Sequence, residues 1–267
     1  MPKTILITGA TDGIGLLTAR MLAKDGHTLL LHGRSAEKLT AAVQSVSTSG
    51  AAPRTYRADL SQLEEVSALA GEITAGHERI DVLINNAGVL KTPQPRTAQG
   101  LDARFVVNTI APYLLTRRLL PILPARGRVV NLSSAAQARV DVAALRGQRS
   151  LDHMAAYAQS KLAITIWTQE MARAQPDGPA FIAVNPGSLL ASKMVREGFG
   201  MTGNDLSIGA EILCRAALSE EFAGATGRYF DNDAGGFARP DPAAGDAAHV
   251  AAVMAALGDL AGPVPEG

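Results

Sequence analysis

The sequence has little of what would build a disulfide framework, a metal centre or a nucleic-acid surface. Its 267 residues include one cysteine, Cys214, and five histidines with no metal-ligand spacing, which excludes an internal disulfide and argues against a metal site. The 25 Lys and Arg residues are balanced by 25 Asp and Glu residues, whereas binding to a phosphate backbone would need a basic face. We therefore expect no metal and no nucleic acid as a partner.

Long apolar runs are also missing. No stretch approaches the ~18 apolar residues that are needed to span a bilayer. The apolar residues before Gly9 are too few to form the core of a secretory signal. These absences predict a cytoplasmic protein without a membrane anchor.

Short apolar runs alternate with helical patterns along the whole chain. Strands are predicted at about 3–8, 27–32, 54–58, 80–84, 127–132, 180–184 and 227–230, and a last helix at about 246–260. No repeat or linker divides the chain, so residues 1–267 are expected to form one domain. The alternation predicts the α/β class, with a doubly wound parallel sheet of about seven strands and helices on both faces.

A glycine-rich turn joins the first predicted strand to a helix. Its glycines allow the backbone to turn tightly and to approach a pyrophosphate, while the helix N-terminus offers free N–H groups and a positive dipole end. A glycine turn can also be a simple connection, but the strand before it and the helix after it fit a Rossmann-type dinucleotide site. The residues expected to bind the cofactor here are Gly9, Thr11, Asp12, Gly13, Ile14 and Gly15.

The end of the second strand carries Arg34 and Ser35 and no acidic residue. An acid at this point would bond the ribose 2′-hydroxyl of NAD, whereas the planar fork of an arginine suits a 2′-phosphate. NADP(H) is therefore favoured over NAD(H). Against this, Arg34 could be a solvated loop arginine, and Asp12 works somewhat against an anionic cofactor.

Asp59 and Leu60 follow the third strand. Asp59 could accept a hydrogen bond from the adenine amino group, or it could be a turn residue. Ser61 is predicted to cap the next helix.

Tyr157 and Lys161 are four residues apart in a stretch without proline or glycine. On a helix they would lie one turn apart on the same face. A tyrosine has a pKa of about 10, and a fixed cation beside it stabilises the phenolate and lowers that value. The pair could thus form an acid/base group, although many helices hold a half-buried tyrosine and a solvated lysine at this spacing.

Two further elements place polar groups near the strand ends. Asn85, Asn86, Ala87 and Gly88 follow the fourth strand, where amides can satisfy loop backbone and glycine allows close approach of a ligand. A helix is predicted over about 101–120, and within it Pro112 has no N–H for the carbonyl of Asn108. That carbonyl could hold a water, or the proline could simply kink a buried helix.

Taken together, the motifs resemble those of the short-chain dehydrogenase/reductase family, in their family order and over nearly the whole chain. The resemblance is carried by Thr8-Gly9-x-x-x-Gly13-Ile14-Gly15, Asn85-Asn86-Ala87-Gly88, Asn108, Ser134, Tyr157-x-x-x-Lys161 and Pro186-Gly187. The stretches at 132–134 and 157–163 are most similar to the retinol-dehydrogenase-like branch.

The resemblance implies an NADP(H)-dependent oxidoreductase that interconverts a small carbonyl compound and an alcohol. Its catalytic residues would be Tyr157 as general acid/base, Lys161 as the cation beside it, Ser134 as the donor to the substrate oxygen, and Asn108 as part of a proton relay. Ser134 is preferred to Ser133 from the position of the serine in family sequences. Further cofactor contacts would come from Asn86, Ala87, Gly88, Tyr157, Lys161, Pro186 and Gly187.

Two departures from the family pattern affect what can be transferred. The family often has a threonine where this chain has Ala191, with Ser192 beside it. The connection between Ser134 and Tyr157 is longer than in many members, and its extra residues could cover a helix face that relatives use to dimerise. We therefore expect a monomer or an altered oligomer.

The substrate would meet a mobile lid at about 189–205 and the connection before Tyr157. These segments contribute Leu145, Met154, Leu189, Met194 and Phe199, which favours an apolar ligand unless the side chains only pack against one another.

Two other functions remain as alternatives. An epimerase or dehydratase of the extended branch also uses a Tyr-x-x-x-Lys pair, but its glycine loop and chain length differ. A redox-sensing protein would bind the cofactor without turnover, but such proteins commonly lose the tyrosine or the lysine.

Overall fold

A computed structural model describes residues 1–47, 52–190 and 203–263 of the chain. Its centre is an eight-stranded sheet in the order β3-β2-β1-β4-β5-β6-β7-β8, in which all neighbours are parallel except β7 and β8. The predicted α/β class and doubly wound sheet are confirmed. The strands are β1 (Thr4–Ile7), β2 (Thr28–Gly33), β3 (Arg54–Arg57), β4 (Val82–Asn85), β5 (Arg128–Leu132), β6 (Ala180–Asn185), β7 (Arg228–Asp231) and β8 (Gly236–Ala238).

Helices cover both faces of the sheet. The sequence does not predict β8, because Gly235 and Gly236 leave only a very short apolar run there. The helices are α1 (Gly13–Lys24), α2 (Ala36–Val46), α3 (Leu63–Gly76), α4 (Ala103–Phe105), α5 (Ala111–Leu119), α6 (Val142–Leu145), α7 (His153–Ala174), α8 (Leu206–Leu218) and α9 (Ala247–Ala261).

The central strands are apolar throughout because both of their faces are buried. On β1, Ile5 and Ile7 pack into one hydrophobic cluster while Leu6 between them packs into the other. This is the alternation expected of a strand between two helical layers. The two clusters fix the sheet between the layers and leave the carboxyl ends of the strands as the open edge.

The predicted helix over 101–120 is interrupted by a wider turn. Between α4 and α5 the chain forms a π-helical turn, Val106–Ile110, in which the N–H of Ala111 bonds the carbonyl of Val106 five residues back. Pro112 is the second residue of α5, which continues directly from the π-helical turn at Ala111. The proline has no N–H to give to that turn.

The predicted cap of α3 is wrong. This helix begins at Leu63 and has no side-chain cap. The Ser61 N–H instead bonds the Asp59 carboxylate at 2.9 Å, so Asp59 is a turn residue, as one of its two interpretations had it. A cap would have needed the Ser61 hydroxyl oxygen to accept a backbone N–H of the first helical turn, and this helix has no side-chain cap bond.

Helix α7 is enclosed by other parts of the same chain. Every residue from Ser160 to Thr168 is buried. Helix α9 packs against α5, α6 and α7, and the connection before α7 is ion-paired to α9 through Arg139–Asp246 and Arg146–Asp259, at 2.8 and 2.6 Å. The stretch of α7 from Ser160 to Thr168 is buried all round and offers no apolar face to a second copy.

We predict that the protein has the mass of one chain in solution. Because α9 and the connection before α7 already cover α7, no large apolar face is left on this helix to drive association. Light scattering over a range of protein concentrations measures this mass. A stable particle of two or more chains, such as a four-subunit particle, would contradict the prediction.

Candidate active site

A cavity of about 590 Å³ opens at the carboxyl ends of the parallel strands. Strand ends meet here because all the strands that form it run in the same direction. Sixteen of the seventeen predicted cofactor residues line the cavity, and Gly187 does not. Those that line it are Gly9, Thr11, Asp12, Gly13, Ile14, Gly15, Arg34, Ser35, Asp59, Leu60, Asn86, Ala87, Gly88, Tyr157, Lys161 and Pro186.

Sequence reasoning missed ten residues of the cavity wall. Most of them adjoin a predicted strand-end motif, so strand ends were identified but their neighbours were not. Lys38 carried a usable signal, because it lies in the first turn of α2, four residues after Arg34. The ten residues are His32, Gly33, Lys38, Ala58, Val89, Leu90, Lys91, Val107, Leu132 and Ser133.

The glycine turn is pressed against the end of β4. Gly9 has a φ of +66°, and a Cβ there would lie 2.9 Å from the Cα of Ala87. A Cβ on Gly15 would lie 2.4 Å from the Asn86 side-chain nitrogen. Both positions therefore require glycine.

Hydrogen bonds join β1 to β4 at the same place. The Asn86 amide donates to the carbonyls of Thr8 and Gly9 at 2.8 and 3.0 Å. The Thr8 hydroxyl oxygen accepts from the backbone N–H groups of Asn86 and Ala87, both at 3.1 Å. The two strand ends thus form one rigid floor for the cavity.

Two cations stand at the end of the cavity next to β2. Arg34 and Lys38 both line it, and Lys38 Nζ lies 3.6 Å from the Asp12 carboxylate. Asp12 also caps α1 by accepting the Gly13 N–H at 2.8 Å. Ser35 caps α2 by accepting the Lys38 N–H at 3.2 Å. This end of the cavity can bind an anionic group, with Asp12 as a competitor for Lys38.

Tyr157 and Lys161 share one face of α7, as their spacing predicts. Lys161 Nζ lies 5.5 Å from the centroid of the Tyr157 ring and donates a hydrogen bond to the Leu132 carbonyl at 2.7 Å. Burial lowers the pKa of Lys161 to about 8. The helix therefore places the two side chains next to each other, with the ammonium over the face of the ring.

The expected lowering of the Tyr157 pKa is not found in the protein alone. Burial raises the pKa of this phenol, and the interaction with the Ser134 side chain opposes the rise only in part. Burial penalises the phenolate, and Lys161 has its own partner in the Leu132 carbonyl. Tyr157 is thus held in its protonated form.

The side chains of the two adjacent serines have different surroundings, because successive residues at the end of β5 point to opposite sides. Ser133 is buried, and its hydroxyl bonds the Lys161 carbonyl at 2.9 Å and the Thr165 hydroxyl at 2.7 Å. Ser134 interacts with the Tyr157 phenol, although it is not among the residues that line the cavity. Ser133 has a structural role, and Ser134 is the serine beside the acid/base candidate.

Asn108 lies behind the cavity wall, in the π-helical turn. Its side chain accepts the Val89 N–H at 2.8 Å and donates to the Val89 carbonyl at 3.0 Å and to the Ser160 hydroxyl at 3.0 Å. It therefore fixes the loop after β4 against α7, directly before Lys161. A relay through its backbone carbonyl stays a prediction.

The segment after β6 is anchored by an acidic side chain. Asp233 accepts from the Ser188 N–H and the Asn185 amide, both at 2.8 Å, and from the Ser188 hydroxyl at 2.5 Å. Of the predicted lid at 189–205, residues 191–202 lie outside the described part of the chain, and with them Ala191, Ser192, Met194 and Phe199. The base of this segment is closed by the bond from the Asn204 N–H to the Leu189 carbonyl, at 2.7 Å.

The described ranges contain no helix that is long and apolar enough to cross a membrane. Among these same residues there is no cluster of three or more His, Cys, Asp or Glu side chains that could hold a metal ion.

The sequence model of the family described as short chain dehydrogenase matches residues 3–200. Human retinol dehydrogenase 13 is 35% identical over 251 residues, which cover 86% of this chain and 76% of that protein. Polyprenol dehydrogenase of Mus musculus is 31% identical over 255 residues, or 87% of this chain and 76% of that protein.

Solved structures are also similar to this chain over most of its length. A protein of Mycobacterium Paratuberculosis described as uncharacterized has a TM-score of 0.80 and 29% identity, with 97% of this chain and 93% of that chain covered. A short-chain dehydrogenase structure from Escherichia coli CFT073, complexed with NADPH, has a TM-score of 0.71 and 27% identity, with 86% and 96% covered.

We predict different stability effects for the two serines. Ser133→Ala leaves buried partners without a hydroxyl and should lower the free energy of unfolding by about 1–3 kcal/mol. Ser134→Ala removes a half-buried hydroxyl that is not part of the cavity wall, and it should change the free energy of unfolding by less than about 0.5 kcal/mol. Urea unfolding of both variants measures the difference. A loss of less than about 0.5 kcal/mol in Ser133→Ala would show that its buried hydrogen bonds do not stabilise the fold.

Proposed function

The chain belongs to the short-chain dehydrogenase/reductase family of NAD(P)-dependent oxidoreductases, in its retinol-dehydrogenase-like branch, and we propose that it interconverts a small carbonyl compound and an alcohol with NADP(H). The observation that carries the proposal is a single cavity that brings the glycine turn, Tyr157 and Lys161 together, with Ser134 beside the phenol. The bound nicotinamide would supply or accept the hydride.

Tyr157 is proposed as the group that gives a proton to the substrate oxygen during reduction. Its raised pKa keeps the phenol protonated at neutral pH, which is the form that a proton donor needs. The hydroxyl of Ser134 would hold the same oxygen by donating a hydrogen bond where negative charge builds up. In the oxidative direction, Tyr157 would take the proton back.

Lys161 is proposed to stabilise the charge that Tyr157 develops when it gives up its proton. With a pKa of about 8, the ammonium is mostly protonated at pH 7. It is buried, so its charge acts through a medium of low dielectric constant. Its bond to the Leu132 carbonyl keeps it at one position beside the ring, and Asn108 would connect this region to water.

NADP(H) is proposed in preference to NAD(H). The support is the pair of cations at the β2 end of the cavity, Arg34 and Lys38, in place of the carboxylate that a 2′-hydroxyl would need. Two similar structures are complexed with NADP or NADPH. Asp12 opposes this preference, because it already interacts with Lys38.

The proposed substrate is a mostly apolar carbonyl compound or alcohol. Val89, Leu90 and Val107 form an apolar part of the cavity wall, and the relatives named above are dehydrogenases of retinol and polyprenol by their descriptions. The cytoplasmic location expected from composition stays a prediction.

A panel of ketones, aldehydes and secondary alcohols, assayed with NADPH and with NADH in parallel, tests the proposal. Turnover of accepted substrates should fall by about 10²–10⁴-fold in Tyr157→Phe, since the general acid is lost. Tyr113→Phe is the matched control, because this ring packs against Trp167 in the core. If Tyr157→Phe turned over every substrate at the wild-type rate, the mechanism would be refuted. If the wild-type protein bound the cofactor but turned over no substrate, a sensing function would be favoured.

Substitution of the two cations at the β2 end of the cavity should change the KM for NADPH but not the KM for NADH. Arg34→Ala and Lys38→Ala should each raise the KM for NADPH by roughly 10–100-fold, as expected for loss of a charged hydrogen bond of about 1.5–3 kcal/mol. The KM for NADH should stay within about 2-fold of wild type, because NADH lacks the 2′-phosphate. Arg20→Ala removes an exposed cation of α1 that does not line the cavity, and serves as the control. Equal effects on both cofactors would contradict the 2′-phosphate assignment.

A further inference from the structure

His32 is a buried imidazole in the cavity wall that the proposed chemistry does not use. It is the last residue but one of β2, it is 3% exposed, and it lines the cavity. Its Nδ1 lies 3.3 Å from the backbone nitrogen of Gly9, and its Nε2 lies 3.0 Å from the carbonyl oxygen of Ala58. One ring thus connects β2 to the segments that follow β1 and β3.

The two partners define the protonation state of the ring. A carbonyl oxygen can only accept, so Nε2 carries the hydrogen and donates it to Ala58. Nδ1 is then free of hydrogen and accepts the Gly9 N–H. Burial lowers the pKa of His32 to about 4, so this neutral form persists at neutral pH.

A buried imidazole is costly unless both nitrogens are satisfied. An apolar side chain would fill the same space without that cost, and its neighbour on the strand, Leu31, is apolar. What the imidazole adds is a defined partner for the Gly9 N–H at the point where the chain enters its left-handed turn. The backbone contributes a second bond, from the Ala10 N–H to the His32 carbonyl at 2.9 Å.

We propose that His32 is a positioning residue for the cofactor: its imidazole, oriented by its bond to the Ala58 carbonyl, holds the Gly9 turn in its binding geometry before the cofactor arrives. The inference rests on the proposed function for the identity of the ligand. It assigns His32 an effect on cofactor affinity, because a turn that is already in place loses less conformational freedom when it binds. The hydrogen bonds of the His32 ring go to Gly9 and Ala58, and not to Tyr157 or Lys161. The rate at saturating cofactor should therefore not depend on His32.

Three substitutions separate the two hydrogen bonds of the ring. His32→Asn places an amide oxygen near the position of Nδ1 and can keep the Gly9 bond. His32→Gln places an amide nitrogen near the position of Nε2 and keeps only the Ala58 bond. His32→Leu removes both. His27→Leu is the matched control, because the Nδ1 of His27 accepts the Lys3 N–H at 3.1 Å outside the cavity wall.

The first measurement is the Kd of NADPH by titration calorimetry, together with kcat at saturating NADPH. His32→Leu and His32→Gln should raise the Kd by about 10-fold, the effect of one lost hydrogen bond of about 1.4 kcal/mol, while kcat stays within about 2-fold. His32→Asn should bind nearly as wild type, and His27→Leu should be unchanged. An unchanged Kd in both His32→Leu and His32→Gln would overturn the proposal, as would a loss confined to kcat.

The second measurement needs no cofactor. Amide hydrogen exchange of Gly9 in the ligand-free protein should be slow in the wild type and in His32→Asn, and fast in His32→Gln. If wild-type protein bound neither NADPH nor NADH, the proposed function would fail, yet Gly9 exchange would still report on His32. Slow exchange in His32→Gln would show that the imidazole does not hold the turn, and would overturn the inference even if His32→Leu failed to fold.

Discussion

The close contact between the glycine turn and the end of β4 is the constraint on which the cavity depends. The oxygen of Gly9 and the side-chain nitrogen of Asn86 would each lie 2.4 Å from a Cβ on Gly15, so no side chain fits between them. The same amide of Asn86 bonds the carbonyls of Thr8 and Gly9. Loss of either glycine would push the first helix away from the sheet and open the floor on which a ligand must rest.

Burial determines the charge of the polar groups around that floor. His32 is kept neutral, the Tyr157 phenol is kept protonated, and the Lys161 pKa is lowered towards neutrality. All three shifts have desolvation as their first cause, so the protein alone favours the uncharged form of each group. The permanent charges lie instead at the exposed β2 end, on Arg34 and Lys38. The cavity therefore joins a desolvated interior, in which His32 and Tyr157 are neutral and Lys161 is still mostly protonated at pH 7, to a charged rim.

Pattern and spacing were sufficient to predict the class of the fold and seven of the eight strands, and together with the family resemblance they predict sixteen residues of the cavity wall. These features depend on local sequence: apolar runs, glycines at turns, and a tyrosine and a lysine one helical turn apart. Features that depend on tertiary partners were missed. His32 is one residue of an apolar strand in the sequence until Gly9 and Ala58 are placed beside it. Ser61 has the residue type of a helix cap, but α3 begins at Leu63 without a side-chain cap. The effect of Lys161 on Tyr157 was predicted from proximity, but the cost of burial is larger and only the folded chain reveals it.

The π-helical turn at Val106–Ile110 changes the rotational phase of its helix. Each residue of an α-helix advances by about 100° around the axis, and a turn that closes on the fifth residue back accommodates one more residue than an α turn. The faces before and after this turn are thus offset by about one residue. Asn108 and Thr109 can both reach the Ser160 region of α7 while α5 still presents its apolar face to the core. A chain shorter by one residue here would keep its helix and its composition, but its side chains would point to different neighbours.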